Sequence, residues 1–324
     1  MERWLRLSRP FTLLPPLLGI VSGAVCAFGS AHNPDPARRV TWAVVLTVAI
    51  GSLCASAMNA ASNIVNQIAD LEIDRENKPK RPLVTQEISI AAAWRASIFL
   101  YALAILPTWI VVPFPYSRFA DRFSAPLHLH AAFFIYCVGA LATLVYSFPA
   151  FGRTKRHWLA ANVTIAIPRG GLLKVAGWAF VASVAAAEAW AIGGIFALFL
   201  LGAMSTKDFS DMAGDRAHGC ITLPLRFGVR RAAWMIAPFF VVPWLLIPLF
   251  AWMPGPGGSP ALLTGNRTLL TVLGLLLALW GAYAARLLVR DPDELARTEN
   301  HPAWTHMYLL MMAAQVGFAL AYVF

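Results

Sequence analysis

The sequence predicts an all-α, polytopic membrane protein that crosses the bilayer about nine times. Hydrophobic residues make up 59% of the 324 residues and charged residues only 13%, whereas soluble domains carry about 25% charged residues. The mean hydropathy is +0.63. Apolar stretches of about 20 residues, the length that crosses a bilayer as a helix, recur along the whole chain. Lipid cannot satisfy an irregular backbone, so these stretches are predicted to be helices.

The predicted spans form a single transmembrane domain over residues 1–324. Proline-containing breaks separate several of them. The fifth span is short and ends in the sequence Pro168-Arg169-Gly170-Gly171, so eight spans are the alternative. The predicted spans lie roughly at 11–30, 40–64, 91–112, 130–148, 157–173, 177–204, 232–253, 267–289 and 303–323.

Basic residues predict the orientation of the chain. The net charge is +10. Most Lys and Arg fall in the segments that share a side with the N-terminus, and cytoplasmic loops are the ones enriched in these residues. We therefore expect the N-terminus on the cytoplasmic side of the inner membrane. Arg169 and Lys174 are assigned to an outer loop between the fifth and sixth spans.

Two other classes of function are not indicated. No basic tract with interleaved aromatic residues stands out, so we expect no nucleic-acid partner, and the positive charge is expected to meet anionic membrane lipid. The 4 cysteines are scattered without a Cys-x-x-Cys pair. They are interpreted as small packing residues rather than as a metal site or a disulfide framework.

Two polar clusters follow the second and sixth predicted spans, both on the predicted cytoplasmic side. If the second span continues as a helix, its cluster lies on one face at positions i, i+4 and i+8. The other cluster, at i, i+3 and i+7, shares a face in the same way. The clusters are Asn66, Asp70 and Asp74, and Asp208, Asp211 and Asp215.

The repulsion within these clusters points to a bound cation. Like charges one turn apart destabilise a helix, and more so at a membrane boundary. Mg²⁺ prefers oxygen ligands and is often held by one or two carboxylates together with water and substrate phosphates. Two such sites facing each other would hold a diphosphate and neutralise it as a leaving group. The predicted ligands are Asp70, Asp74, Asp208, Asp211, Asp215 and Asn66.

These motifs resemble the UbiA superfamily of intramembrane prenyltransferases. The N-x-x-x-D-x-x-x-D motif of that family is matched by the first cluster, and its D-x-x-x-D motif by Asp211 and Asp215. The segment NQIADLEIDRENKPKRPL is similar to the homogentisate prenyltransferase and chlorophyll synthase branches. The segment KDFSDMAGDRAHGCITLPLRFG is similar to those branches and to geranylgeranylglyceryl phosphate prenyltransferases. Further matches are Leu7-x-Arg9-Pro10 and Tyr146-Ser147-x-Pro149, the latter followed by Arg153 and Lys155.

The resemblance implies helices around a central cavity, Mg²⁺ as cofactor, an isoprenyl diphosphate as substrate and a hydrophobic or aromatic acceptor. Asp70, Asp74, Asp211, Asp215 and Tyr146 are the predicted catalytic residues. The sequence departs from relatives at Val84-Thr85-Gln86, where a glycine is common, and at Gln67. Both departures leave the branch of the family open.

Several neighbouring polar residues are candidates for substrate binding. Lysine and arginine side chains can bind diphosphate oxygens. Each of these basic residues can also be explained as a charge that sets the membrane topology. Tyr146 is equally typical of an interfacial aromatic belt, and Asn162 of an interhelical hydrogen bond. Glu188, inside the sixth predicted span, lies near the outer side and is not assigned to the site. The predicted substrate-binding residues are Asn66, Lys155, Arg153, Lys207, Arg9, Ser147 and Asn162.

Other functions remain as alternatives. A terpene cyclase of the same family would ionise the same substrate without an acceptor, and a lipid-alcohol prenyltransferase would use a different acceptor. A cation-coupled transporter would place its ion site near the midplane on broken helices, whereas these acids crowd one interface. The alcohol phosphotransferase pattern requires glycines that the first cluster lacks.

Overall fold

The computed structural model describes residues 2–113, 119–259, 261–298 and 301–324, and in these ranges it is built from helices. One isolated bridge joins His157 to Ile221. Within these ranges, seven helices are long and apolar enough to cross a membrane, and a shorter apolar helix covers Ala131–Ser147. The predicted all-α, polytopic membrane fold is confirmed.

The N-terminal helix, the longer helices and the two short helices that continue the polar clusters are numbered here in chain order. They are α1 (Glu2–Ser8), α2 (Pro10–Gly29), α3 (Trp42–Ala69), α4 (Leu71–Asn77), α5 (Ile90–Ile110), α6 (Ala131–Ser147), α7 (158–178), α8 (Ala187–Phe209), α9 (Met212–Ala217), α10 (Val229–Trp252), α11 (Arg267–Arg290) and α12 (Pro302–Val323). Short helical turns lie between them at Phe119–Phe123, Leu127–Leu129, Pro149–Phe151, Thr154–Arg156, Leu223–Phe227, Pro256–Gly258 and Pro292–Arg297.

Side-chain caps fix where several spans begin. Thr41 accepts a hydrogen bond from Val44 N at 3.3 Å at the start of α3, and Ser89 accepts one from Ala92 N at 3.2 Å at the start of α5. Asn266 starts α11 in the same way. Each cap satisfies a backbone N–H that has no partner within the helix, so the spans start at defined residues.

The fifth and sixth spans differ from their predicted bounds. Helix α7 does not end at 173 but runs through a π-helical stretch, Ile167–Leu172, to Trp178. The proline that was expected to end the helix is tolerated there, because a local π-helical adjustment can satisfy the backbone groups that proline leaves unpaired in a membrane span. Residues 179–186 form turns, and α8 therefore begins at Ala187 rather than 177. Arg169 and Lys174 consequently lie within a helix, and their assignment to an outer loop was wrong.

The helices pack around two different interiors. Between α8, α10 and α12 the interior is filled by aromatic side chains such as Phe196, Phe199 and Trp244, each 1% exposed or less. Between α2, α3, α6, α7, α8 and α12 the interior is a cavity. On the outside, apolar side chains such as Phe99 and Leu279 remain 67% and 70% exposed, as expected for surfaces that face lipid.

Candidate active site

The cavity has a volume of about 560 Å³, and both polar clusters line it. The acids lie at one end, where α3 passes into α4 and α8 passes into α9. The rest of the wall is largely apolar and comes from α2, α6, α7 and α12. Of the predicted site residues, those that line the cavity are Arg9, Asn66, Asp70, Asp74, Tyr146, Lys155, Asn162, Lys207, Asp208, Asp211 and Asp215.

The first cluster lies on a bent helix rather than on a straight one. Asp70 adopts φ −105° and ψ 15°, which separates α3 from α4. Helical hydrogen bonds nevertheless continue across the bend, from Asp70 N to Asn66 O at 2.9 Å and from Asp74 N to Asp70 O at 2.8 Å. The expected uninterrupted helix was wrong, but the three side chains still face the same cavity.

The second cluster is bent in a similar way. Asp208 lies in the 3₁₀ turn that ends α8, Asp211 adopts φ −96° and ψ 5°, and Asp215 lies in α9. The expectation of a single helical face was therefore wrong here too. The tighter turn and the break together bring all three carboxylates into the cavity.

A direct connection between α4 and α9 holds the clusters opposite each other. Gly214 N donates a hydrogen bond to Asn77 Oδ1 at 3.2 Å, and Asn77 Nδ2 donates to Asp211 O at 3.4 Å. A Cβ atom on Gly214 would lie 2.5 Å from Asn77 Oδ1, so glycine is needed for this close approach. Sequence reasoning missed this role of Asn77, which lies only within a quoted similarity segment.

Most of the aspartates in the two clusters lie close to a lysine or arginine side chain. Arg153 Nη2 lies 3.8 Å from Asp70 Oδ1, Lys78 Nζ lies 3.3 Å from Asp211 Oδ1, and Lys207 Nζ donates to Asp208 Oδ1 at 2.8 Å. Two closer pairs join Lys155 to Asp70 and Arg81 to Asp74. Negative and positive groups are thus interleaved at this end of the cavity, which suits an anionic ligand bound together with metal ions.

Burial changes the protonation of the acids outside the spans. It raises the pKa of Asp215 to about 7, and the nearby charge of Asp208 adds to this shift. Burial also raises the pKa of Asp74, against the opposing effect of Arg81. Lys155 moves the other way, because burial lowers its pKa to about 8. An added positive charge here would favour the ionised carboxylates.

The donor set fits Mg²⁺. All the cluster ligands are carboxylate or amide oxygens, which Mg²⁺ prefers. In the described part of the chain, no three His, Cys, Asp or Glu side chains converge closely enough to hold one ion alone. That is compatible with Mg²⁺, because it commonly binds through one or two carboxylates and completes its shell with water and phosphate oxygens.

Comparison with known proteins decides the family. The model of the UbiA prenyltransferase family matches residues 17–311. The chain belongs to this family. It is therefore a prenyltransferase and an integral membrane protein.

Curated relatives differ in their acceptors. A probable homogentisate phytyltransferase 2 of Oryza sativa is 30% identical over 236 residues, covering 71% of this chain and 56% of that protein. The bacteriochlorophyll synthase 34 kDa chain of Chloroflexus aurantiacus is 27% identical, covering 98% and 91%. A digeranylgeranylglyceryl phosphate synthase of Methanoregula boonei is 29% identical, covering 97% and 98%.

Solved structures share the fold over the full length. A UbiA homologue from Archaeoglobus fulgidus, bound to DMAPP and Mg²⁺, is 21% identical with a TM-score of 0.66 and covers 99% of each chain. An apo homologue from Aeropyrum pernix has a TM-score of 0.65 at 18% identity, covering 97% of this chain and 98% of that one.

Two predicted substrate-binding residues of this UbiA-family enzyme lie behind the lining. Ser147 is fully buried, and its Oγ donates a hydrogen bond to Asn66 Oδ1 at 2.9 Å. Arg153 lies beside Asp70 but does not line the cavity. Ser147 thus contacts the first cluster through Asn66 and Arg153 through Asp70, and their predicted contacts with substrate stay predictions.

Asn162 combines the two interpretations given to it. It lines the cavity, and its Nδ2 also donates a hydrogen bond to Ser205 Oγ at 2.6 Å, which joins α7 to α8. Tyr146 lines the cavity within electrostatic range of Lys207 and Asp208. Their proposed contacts with substrate stay predictions.

The sequence reasoning missed a polar stripe on α3 that positions the N-terminal segment. Asn59, Asn63 and Gln67 donate hydrogen bonds to Thr12 O, Ser8 O and Leu7 O at 2.8, 2.9 and 2.8 Å. Their i, i+4, i+8 spacing in an apolar span was the available signal. The segment that they hold includes Arg9, which adopts the left-handed φ of 56° and lines the cavity.

Proposed function

We propose that this enzyme transfers the prenyl group of an isoprenyl diphosphate to an aromatic acceptor in a Mg²⁺-dependent reaction. The observation that carries the proposal is one cavity with two regions: opposed carboxylates interleaved with lysine and arginine at one end, and a mostly apolar wall beyond them. The first region suits a diphosphate with metal ions, and the second suits a hydrocarbon chain.

The acidic and basic side chains have different roles in the proposed reaction. Asp70 and Asp74 on one side, and Asp208, Asp211 and Asp215 on the other, would hold Mg²⁺ with Asn66. Bound Mg²⁺ would neutralise the charge that develops on the departing diphosphate. Lys155 and Lys207 are placed to bind diphosphate oxygens, and their charges persist once the acids turn to the metal.

The allylic C–O bond breaks and the diphosphate leaves with the bonding electron pair. The cavity then protects the allylic cation from water, and the aromatic faces of Tyr146, Trp304 and Tyr308 line it. Aromatic faces attract cations, most strongly where water is excluded. The acceptor supplies the electron pair of the new bond and loses a proton as the transfer is completed.

The names of relatives support both substrates of the proposal. The Archaeoglobus homologue was solved with DMAPP and Mg²⁺, and a second structure of it with GPP and Mg²⁺. Homogentisate, an aromatic compound, appears in the names of the rice relative and of an Arabidopsis thaliana solanesyltransferase that is 30% identical. A glyceryl phosphate acceptor is the competing choice, supported by the archaeal relatives.

We further propose that the site faces the cytoplasm and that the N-terminus lies on the same side of the inner membrane. Basic residues cluster around the end of the cavity that carries the acids, in agreement with the positive-inside rule. A cysteine introduced at Lys80 should react with an impermeant maleimide in inverted membrane vesicles and not in right-side-out vesicles. The opposite labelling would refute this orientation.

The reaction is tested with detergent-purified protein, geranyl diphosphate and a panel containing homogentisate, 4-hydroxybenzoate and a glyceryl phosphate lipid. We expect Mg²⁺-dependent transfer to an aromatic acceptor, which EDTA removes and excess Mg²⁺ restores. Asp70→Asn should abolish it, whereas Glu72→Gln should not, because Glu72 is exposed and pairs with Arg75.

The other outcomes separate the alternatives. Transfer to the glyceryl phosphate alone would identify a lipid-alcohol prenyltransferase. Cyclised products without an acceptor would identify a terpene cyclase. Cation uptake by sealed proteoliposomes, with no turnover of diphosphate, would refute prenyl transfer altogether.

A further inference from the structure

The wall of the cavity carries an arginine to which neither the sequence predictions nor the proposed chemistry assigns a role. Arg169 lies on α7 and lines the cavity. Helical rise places it about 16 Å along α7 from Trp158, well inside the span. A charged side chain at such a depth is costly and is commonly functional.

The other cations of the cavity lie beside aspartates of the clusters. Lys155, Lys207, Arg81 and Lys78 each pair with one, and Arg9 is within electrostatic range of Asp74. Among the residues that the structure describes, none forms a hydrogen bond or ion pair with the Arg169 guanidinium. The group is only half-buried, because it faces the cavity. Its five N–H donors are therefore available to a ligand.

The local backbone places Arg169 in the cavity. The residue lies within the π-helical stretch Ile167–Leu172, and such turns are frequent at functional sites. The next residue, Gly170, presses against α8, where an added Cβ would lie 2.6 Å from Ala197 Cα. Close packing on that side fixes the rotation of α7, so Arg169 is held on the side that faces the cavity.

The position of Arg169 along α7 separates it from the lysine that pairs with the first cluster. Lys155 pairs with Asp70 just before α7 begins, whereas Arg169 lies about 16 Å along that helix. Arg169 is also within electrostatic range of Tyr101, Tyr146 and Arg9. It thus gives the cavity a cationic position deeper in the span than Lys155.

We propose that Arg169 binds an oxyanion of the acceptor, a carboxylate or a phosphate monoester, and that the enzyme therefore selects an anionic acceptor over its neutral analogue. The inference rests on the proposed prenyl transfer. A planar guanidinium binds either oxyanion through paired hydrogen bonds. In a largely apolar wall, such a pair would orient the acceptor relative to the allylic carbon.

The test is a binding experiment that needs no turnover. Purified enzyme with Mg²⁺ and the non-reactive analogue geranyl thiolodiphosphate is titrated calorimetrically with 4-hydroxybenzoate, with neutral 4-hydroxybenzyl alcohol and with glycerol 3-phosphate. We expect one of the two anions to bind at least tenfold more tightly than the alcohol. Which anion binds distinguishes a carboxylate from a phosphate acceptor.

Three variants complete the test. Arg169→Gln should remove the preference for the anion and leave the affinity for the thiolodiphosphate within twofold of the wild-type value. Arg169→Lys should restore part of the preference for the anion. Arg156→Gln, at an exposed arginine near the start of α7, should behave like the wild type. The inference is wrong if neither anion is preferred, or if Arg169→Gln weakens the diphosphate analogue as much as the anion.

The failure of this inference is distinguishable from that of the proposed function. If the wild-type enzyme does not bind the thiolodiphosphate in the presence of Mg²⁺, the prenyl transfer proposal itself fails. If it binds the analogue but shows no preference for an anion, only the role of Arg169 is refuted.

Discussion

The two ends of the bundle each carry buried acids, but they surround them with different chemistry. At the end away from the polar clusters, Glu188 is 1% exposed. Its carboxylate accepts hydrogen bonds from Ser30 Oγ at 2.6 Å and Thr264 Oγ1 at 3.0 Å, and also from Tyr322. At the end that carries the clusters, the aspartates face lysine and arginine across a cavity.

The difference separates a structural acid from a functional one. The donors that hydrogen-bond to Glu188 are neutral, and His32 Nε2 lies 3.9 Å from its carboxylate. Together the hydrogen bonds join α8 to the ends of α2 and α12 and to the segment before α11. Such a group is satisfied and has no ligand to gain. The aspartates of the clusters are paired instead with cationic side chains beside a cavity. An acidic residue within a span thus indicates a functional site only when its partners are cationic and a cavity lies beside it.

The largest expected effect is on catalysis, and it should occur at one end only. Asp211→Asn should lower the rate of prenyl transfer by about 10³-fold or more, because it removes a carboxylate that would hold Mg²⁺, and the charge of Mg²⁺ would stabilise the departing diphosphate. Glu188→Gln, a matched loss of one buried acid, should keep the rate within about threefold. Steady-state rates with saturating Mg²⁺ measure both. Equal losses would remove the distinction between the two ends.

The second expected effect is on stability, and here the substitution at Glu188 should have the larger effect and the one at Asp211 the smaller. Glu188→Ala leaves Ser30, Thr264 and Tyr322 without their acceptor, and unpaired buried donors cost about 1–3 kcal/mol each, partly relieved by relaxation. We expect a lower thermal unfolding temperature in detergent. Asp211→Asn should leave that temperature within a few degrees, since its partner Lys78 is near the solvent-accessible end. A stable Glu188→Ala variant would contradict the anchoring role.

The sequence predicts which residues form the polar clusters better than it predicts the shape of the helices that carry them. Charge spacing in an apolar chain was enough to find the two clusters, because few other patterns place aspartates at a membrane boundary. It was not enough to find the bends at Asp70 and Asp211, which depend on contacts between α4 and α9. The π-helical passage through Pro168 was also missed, since it depends on packing of Gly170 against α8.

The third prediction concerns the distance between the clusters. Gly214→Ala would place a Cβ 2.5 Å from Asn77 Oδ1 and should force α4 and α9 apart. We expect the Mg²⁺ concentration for half-maximal activity to rise by about tenfold, of the size seen when groups supporting metal ligands are disturbed. Gly194→Ala is the control, because among the described residues no atom beyond its chain neighbours and its own helix backbone lies within 4 Å of the added Cβ. An unchanged Mg²⁺ dependence in Gly214→Ala would show that the clusters tolerate separation.

The smallest expected effect tests whether Ser147 positions Asn66 or binds substrate. Ser147→Ala removes the hydrogen bond to Asn66 Oδ1, and a single neutral hydrogen bond is worth about 1 kcal/mol. If Ser147 only orients a metal ligand, the Mg²⁺ requirement should rise about two- to fivefold while the KM for the acceptor stays constant. Ser124→Ala, at an exposed position that does not line the cavity, should change neither. A rise in the acceptor KM alone would instead mean that Ser147 contacts the acceptor, which its burial behind the lining argues against.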